Sequence, residues 1–113
     1  MDVPIPPDWV ASVCKLLREG DSSKIAWTKS ALQEWQAASL SAFRYEAYEA
    51  MLRALSIPNV VGCDVPLPED GKTYAFFFTA NDLTLYGKIC LRPDKLHIKI
   101  ISAHTARKGG TLS

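Results

Sequence analysis

The sequence predicts an α+β fold in which three N-terminal helices pack on one face of a three- to four-stranded antiparallel β-meander. Three observations indicate this. Apolar residues recur at helical spacing through the first half of the chain, whereas the second half alternates with a period of two between turn signals. Hydrophobic residues make up 48% of the 113 positions, which is enough for one core without disulfides. We therefore expect a single domain over residues 1–113, with a helical part at about 8–56 and a sheet part at about 60–106.

Three helical segments are indicated in the first half. Residues 8–18 carry apolar side chains at helical spacing and are followed by Gly20, which suits the position just past a helix C-terminus. A second pattern begins after the hydroxyl cap of Thr28. The third helix is predicted over about residues 41–55, with an apolar stripe of Phe43, Ala47, Ala50, Met51 and Ala54. Residues 25–27 are read as a short extended piece between the first two helices.

The sheet is predicted from the second half of the chain. Residues 74–79 are aromatic and typical of a strand. Residues 83–91 and 96–103 alternate between apolar and polar side chains, as antiparallel strands with one buried face do. Turn signals at residues 80–82 and 92–95 separate the three strands. Residues 60–61 are a candidate for a fourth, short strand.

Turn geometry predicts what the face away from the helices carries. A two-residue turn at Asn81-Asp82 places Phe77 opposite Tyr86, and one at Pro93-Asp94 places Lys88 opposite Lys99. By the same register, Cys90 pairs with His97 and Tyr86 with Ile101. The exposed set is then Phe77, Tyr86, Lys88, Lys99 and His97.

Two interpretations of that face stay open. Lysines directly across from each other repel, and an anionic ligand would offset the repulsion. Lysines interleaved with aromatic rings also suit single-stranded nucleic acid, which offers phosphates and base faces. The alternative is a solvated face whose lysines deter edge-to-edge aggregation, and the pattern alone favours this alternative.

The end of the last strand carries Ser102 and His104, and a basic tail with Arg107 and Lys108 follows it. RNA cleavage by the 2′-hydroxyl needs a base, an acid and a cation that stabilises the phosphate. His104 can move a proton at neutral pH, and Lys88 and Arg107 supply positive charge. The alternative interpretation is a capping histidine followed by a frayed basic tail.

Strict alternation places Ser102 and His104 on the apolar side of the sheet, away from Lys88. A single site therefore requires the strand to twist or bulge after Ile101, or His104 to lie past the end of the strand.

Several classes of function are disfavoured. The formal net charge of +1 gives no global signal for nucleic acid. The three cysteines are widely spaced, which fits reduced thiols in a cytoplasmic protein better than a disulfide framework. The spacing of the histidines and cysteines lacks a zinc motif, and no glycine-rich phosphate loop occurs. Without a signal peptide or a long apolar run, the sequence predicts a cytoplasmic protein with no membrane span, no metal and no cofactor.

The segments 85–94 and 99–104 carry a resemblance to a known group. With their strand lysine and terminal Ser-x-His, they resemble the C-terminal half of small bacterial toxins in the RelE/MqsR-like branch of metal-independent ribonucleases, and of related phage-borne proteins. That group is similar to the barnase, EndoU and colicin D type of sheet, in which helices precede an antiparallel sheet that carries the site. The match covers about residues 74–108 and rests on a sheet pattern, not on a unique motif.

The resemblance implies roles at the matching positions. Lys88, Ser102 and His104 match directly, whereas Tyr86, Arg107 and Lys108 fall where such enzymes place aromatic and basic groups. The chain departs from these toxins in being nearly neutral and in carrying more helix. Together with the strand pattern, the resemblance gives a candidate catalytic set of His104, Lys88, Ser102 and Arg107, and a candidate substrate-binding set of Tyr86, Lys99, Lys108 and His97.

Two functional hypotheses follow, beside a third in which the chain is a structural domain of unknown role. The first is a metal-independent endoribonuclease that cleaves RNA and is the toxin of a bacterial or phage toxin–antitoxin system, with a cognate antitoxin as its protein partner. The alternative is a non-enzymatic module, such as an antitoxin, an immunity protein or a phage-encoded inhibitor, that docks a protein partner through its sheet. The near-zero net charge and the abundant aromatic residues favour the alternative.

Overall fold

Strands at both ends of the described chain join one mixed sheet in this computed structural model, which describes residues 2–39, 43–68 and 70–106. These residues form six strands and three helices. In chain order they are β1 (Val3–Pro4), α1 (Pro7–Glu19), β2 (Ile25–Trp27), α2 (Lys29–Ser39), α3 (Arg44–Leu55), β3 (Val61–Asp64), β4 (Lys72–Ala80), β5 (Leu83–Leu91) and β6 (Ile98–Thr105). The strand order is β1-β3-β4-β5-β6-β2. The segment 107–113, with Arg107 and Lys108, lies outside the described residues.

The predicted architecture is wrong, although the fold is α+β. Strands also lie before and between the helices: β1 pairs antiparallel with β3, and β2 pairs parallel with β6. The sheet is therefore wider than a three- to four-stranded meander, and it is mixed. The physical reason is length, since β1 has 2 residues and β2 has 3, which is too short for alternation to appear.

Local signals explain how the helices begin and end. Pro7 occupies the first turn of α1, where its missing N–H costs no hydrogen bond. Gly20 ends that helix in the left-handed conformation (φ 63°), and its N–H bonds to the carbonyl of Leu16. The Thr28 hydroxyl accepts the N–H of Ala31 at 3.0 Å and so caps α2.

The helices cover one face of the sheet with a continuous core. The Trp9 ring meets Tyr74 edge to face at 5.2 Å, and its Nε1 donates to the carbonyl of Lys72 at 2.9 Å. Trp35 of α2 lies against Phe78 of β4, with ring centroids 6.4 Å apart. The strand residues buried on this side are Tyr74, Phe76, Phe78, Leu85, Ile89, Leu91, Ile98, Ile100 and Ala103. Each large side chain so buried stabilises the fold by roughly 1.5–3 kcal/mol.

One predicted member of the helical stripe is not buried. Phe43 is 61% exposed and precedes α3, with its ring against Tyr45 at 5.7 Å. The prediction failed because α3 begins at Arg44 and not at about residue 41, so Phe43 precedes the helix and does not share its buried face.

The β4–β5 hairpin follows the predicted register. Asn81 and Asp82 both have positive φ, as a two-residue type I′ turn requires. Phe77 pairs with Tyr86, which confirms that part of the prediction, and the same register pairs Ala75 with Lys88. Among the residues that the structure describes, no helix is long and apolar enough to cross a membrane.

Candidate functional site

A β-bulge at Ile101 brings the polar end of β6 to the side of the sheet away from the helices. Ile100 pairs with Ile89 and Ser102 pairs with Lys88, so Ile101 is an extra residue on β6. Beyond the bulge, His104 pairs with Tyr86. The phase of alternation therefore reverses, and Ser102 and His104 point to the same side as Lys88 and Tyr86.

The predicted pairing between β5 and β6 is wrong. Lys99 lies opposite Cys90, not opposite Lys88, and Tyr86 faces His104 instead of Ile101. The connecting loop is longer than two residues, since the N–H of Arg92 bonds to the carbonyl of His97 and Lys95 takes a positive φ of 60°. One sequence signal marks the bulge: the adjacent apolar residues Ile100 and Ile101 break the alternation.

The junction between β2 and α2 holds the outer edge of the bulge. The Thr28 N–H donates to the carbonyl of Ile100 at 3.0 Å, and its hydroxyl donates to that of Ile101 at 3.2 Å. Further along, the N–H of Ala103 donates to the Glu34 carboxylate at 3.4 Å. These contacts satisfy backbone N–H and C=O groups at the outer edge of β6, which β2 is too short to pair. The prediction took Thr28 only as a helix cap and did not include Glu34, because contacts 69–73 residues apart leave no local signal.

We call this side of the sheet the open face and define it by Phe77, Tyr86, Lys88, Lys99, Ser102 and His104. An aromatic row crosses it from strand to strand. The Phe77 ring meets Tyr86 edge to face at 6.5 Å, and the Tyr86 ring stacks on His104 at 5.0 Å with an interplanar angle of 18°. The Lys88 ammonium lies 5.6 Å from the centroid of the Tyr86 ring, in the range of a cation–π contact.

The hydrogen bond of His104 selects its tautomer. Nδ1 lies 2.9 Å from the carbonyl oxygen of Thr105. Because a carbonyl oxygen can only accept, Nδ1 carries the proton in the neutral ring. Nε2 is then the basic nitrogen, which is able to take a proton from a bound group.

Burial raises the pKa of the half-buried Tyr86 phenol, and the nearby Cys63 acts in the same direction. Tyr86 therefore stays protonated and neutral at physiological pH. Its ring presents an apolar surface with a hydroxyl donor at its tip.

The charged side chains that β4 to β6 place on the open face, Lys88 and Lys99, are both positive. The described positions of β4 to β6 that point to it are Thr73, Ala75, Phe77, Thr79, Thr84, Tyr86, Lys88, Cys90, Lys99, Ser102 and His104, none of which is Asp or Glu. Asp64 pairs with Lys72 at 2.6 Å, and alternation along β4 places Lys72 on the helix side.

One end of the open face is covered. The carbonyl of Asp70 accepts hydrogen bonds from the Cys90 thiol at 3.6 Å and from the Arg92 guanidinium at 3.0 Å. The connector between β3 and β4 also bonds to β4 at this end, through the N–H of Val65 and the carbonyl of Thr73. Thr73, Ala75 and Cys90 are buried beneath it, whereas the end that carries His104 is accessible.

His97 does not join this site, contrary to the prediction. It lies in the β5–β6 loop with Nδ1 2.6 Å from the Asp94 carboxylate, at the opposite end of β6 from His104. Seven residues at about 3.3 Å each separate the two histidines by roughly 20 Å. The N–H of Leu96 and the His97 ring hold the pKa of Asp94 below its usual range. The predicted roles of Arg107 and Lys108 lie outside the described residues.

Among the described residues, no group of three or more His, Cys, Asp or Glu side chains is arranged to hold a metal ion. All three cysteines are buried free thiols. When the chain is compared with models of protein families, with curated proteins and with solved structures, no match is found.

Proposed function

We propose that the protein is a metal-independent endoribonuclease whose catalytic groups lie on the open face. The observation that carries the proposal is the bulge at Ile101. It removes the geometric obstacle that strict alternation imposes, because it puts Ser102 and His104 on the same face as Lys88. A histidine with a fixed tautomer and a neighbouring ammonium group fit phosphodiester cleavage.

The proposed step uses the 2′-hydroxyl of the RNA as nucleophile. His104 Nε2 takes the hydroxyl proton as the 2′-oxygen bonds to the adjacent phosphorus. The bond from phosphorus to the 5′-oxygen breaks, and the leaving oxygen takes a proton from water. The products are a 2′,3′-cyclic phosphate and a 5′-hydroxyl. Lys88 stabilises the additional negative charge on the phosphate oxygens in the transition state.

Ser102 pairs with Lys88 across the strands, which supports a role in which its hydroxyl holds a phosphate oxygen beside the ammonium group. Arg107 remains a sequence-based candidate for a second cation. In keeping with the resemblance of its strand pattern, we propose that the enzyme is a toxin of a toxin–antitoxin pair, with a cognate antitoxin as its protein partner.

A non-enzymatic docking module is the second candidate. Exposed apolar side chains favour it: Ile57 is 61% exposed and Val61 is 50% exposed, and both line a groove of about 460 Å³ that reaches Phe77. Apolar surface of this kind is typical of protein-binding sites.

Cleavage of a labelled RNA in EDTA separates the two candidates. We expect the wild-type protein to cleave the RNA into fragments with 2′,3′-cyclic phosphate ends. A DNA strand of the same sequence, which lacks the 2′-hydroxyl nucleophile, should stay intact. His104→Ala should lower the rate by about 10²- to 10⁴-fold, as loss of a general base does. Lys88→Ala should also be slower, whereas His97→Ala, prepared identically, should match wild type. Absence of cleavage by wild type, or equal cleavage by His104→Ala, would rule out the enzyme.

A further inference from the structure

We infer that Phe77 is a base-stacking subsite and that the open face binds an unpaired nucleic-acid strand across β4, β5 and β6. This inference rests on the proposed function, since it names how the substrate of that site is held. Three observations together carry it. The exposed ring of Phe77 lies two strands away from His104, Tyr86 lies between them, and the Lys88 ammonium lies beside the Tyr86 ring.

The first argument is the exposure of Phe77. Phe77 is 38% exposed on a central strand of the sheet, whereas Phe76 and Phe78 on either side of it are buried. A large apolar ring at a solvent-facing position lowers solubility and adds little to the core. A base stacked on it would remove that apolar surface from water.

The second argument is the spacing to the catalytic group. Neighbouring strands lie about 4.8 Å apart, so two strand spacings separate Phe77 from His104 by roughly 10 Å. Tyr86 lies between them and contacts both rings. A base on Phe77 would therefore belong to a nucleotide close to the phosphate at His104.

The third argument is charge. Lys88 lies beside the aromatic row and Lys99 occupies the same face, while none of its described positions on β4 to β6 is acidic. Ring faces with a cation beside them complement the bases and phosphates of a strand. An acidic peptide would satisfy the lysines, but it would cover Phe77 with a planar group only where it also carried an aromatic side chain, whereas every nucleotide carries a base.

The fourth argument concerns the form of the nucleic acid. Stacking on Phe77 requires the exposed face of a base, and a base within a duplex has both faces covered by its neighbours. The ligand is therefore single-stranded, and because every base has a π-face, the Phe77 subsite is tolerant of sequence.

The experiment uses a ligand that the proposed reaction cannot cleave. Fluorescence anisotropy at low salt would follow the binding of wild-type protein to a labelled single-stranded oligodeoxynucleotide of about ten nucleotides. This length lies within the roughly 4–16 nucleotides that single-strand binding sites typically cover. We expect Phe77→Ala to weaken binding roughly 10- to 100-fold, and Phe77→Trp to retain it. Phe43→Ala, a control that removes an exposed phenylalanine elsewhere, should bind like wild type.

Phe77→Leu guards against a folding defect, because it keeps an apolar side chain of similar bulk but has no ring face. Its circular dichroism spectrum and thermal unfolding should match wild type while its binding is weak. The inference is overturned if Phe77→Leu binds as tightly as wild type, if a duplex of the same sequence binds equally well, or if wild type binds no oligonucleotide and only a protein partner.

The two proposals fail separately. Binding of the oligodeoxynucleotide that depends on Phe77, without any RNA cleavage, supports the subsite and contradicts the endoribonuclease. Cleavage that depends on His104 but has the same KM and rate in Phe77→Leu supports the endoribonuclease and overturns the subsite.

Discussion

The imidazole of His104 stacks on the phenol ring of Tyr86 in the neighbouring strand, with ring centroids 5.0 Å apart and an interplanar angle of 18°. The Thr105 carbonyl holds the Nδ1 of the same imidazole at 2.9 Å. The stack fixes the ring plane, and the hydrogen bond selects one of the two ring orientations that differ by a half-turn about the Cβ–Cγ bond. His104 is therefore oriented before a ligand binds, which is the kind of preorganisation that general-base catalysis uses.

We predict that the Tyr86 ring contributes to this orientation and that its hydroxyl does not. Tyr86→Leu removes the stack, which is worth about 0.5–1.5 kcal/mol, and should lower RNA cleavage by roughly 2- to 10-fold. Tyr86→Phe keeps the ring and should cleave at nearly the wild-type rate. The measurement is the single-turnover rate at saturating enzyme. A Tyr86→Phe variant as slow as Tyr86→Leu would instead assign the phenol a direct part in the reaction.

The pKa of Tyr86 predicts a loss of stability in base. Burial raises the pKa of the folded-state phenol above its usual value near 10, so the folded protein keeps a proton that the unfolded chain releases. The stabilisation is complete below about pH 10 and is lost as the pH rises through the raised pKa. Urea unfolding at about pH 9 and 11 should show a larger fall in the free energy of unfolding for wild type than for Tyr86→Phe. Equal falls would contradict the prediction.

Thr28 should stabilise the protein through its hydroxyl. It accepts the N–H of Ala31 at the start of α2 and donates to the carbonyl of the bulged Ile101. Thr28→Val has the same shape without these bonds, so we expect its free energy of unfolding to fall by about 1–2 kcal/mol in urea titrations. Thr28→Ser keeps the hydroxyl and is the matched control, which should stay within a few tenths of a kcal/mol. A stable Thr28→Val would show that the bulge does not depend on this contact.

The parts of the fold that sequence predicts well are those whose signals are local. The β4–β5 register follows from the two-residue turn at Asn81 and Asp82, and it is confirmed. The placement of His104 depends on one unpaired residue, Ile101, and a single extra residue reverses every later side chain. Strict alternation therefore assigned Ser102 and His104 to the wrong face of the sheet.

The parts that could not be predicted depend on contacts between distant segments. Residues 25–27 are extended, as predicted, and form β2, but the parallel pairing of β2 with β6, some 70 residues later, has no local signal. Glu34 reaches the edge of β6 from α2, and nothing near either residue indicates the contact. The predicted position of His97 is wrong for a different reason: the β5–β6 loop is longer than the two-residue turn that the signal at Pro93-Asp94 indicates.

Two strand glycines should differ in how they tolerate alanine. A Cβ on Gly62 would overlap the carbonyl oxygen of Ala75, a backbone atom held in the sheet, and would lie 2.7 Å from Ile5. A Cβ on Gly87 would meet the rings of Phe78 and Phe76 at 3.1 and 3.2 Å, and rings can shift. We expect Gly87→Ala to destabilise by about 1–3 kcal/mol and Gly62→Ala by more. Thermal and urea unfolding of both variants test the order, and the reverse order would contradict the assigned contacts.

The charge of the open face predicts a salt dependence of binding that distinguishes Lys88 from Lys72, which lies on the other side of the sheet. For single strands, each phosphate neutralised contributes about 0.7 to the slope of log affinity against log salt. If Lys88 contacts one phosphate, Lys88→Ala should reduce the magnitude of that slope by about 0.7 for an uncleavable oligodeoxynucleotide. Lys72→Ala is the matched control, since Lys72 lies on the helix side and is already paired with Asp64 at 2.6 Å. The slope of Lys72→Ala should equal that of wild type. An unchanged slope in Lys88→Ala would remove this lysine from the phosphate path, and equal reductions in both variants would show that binding responds to net charge and not to the open face.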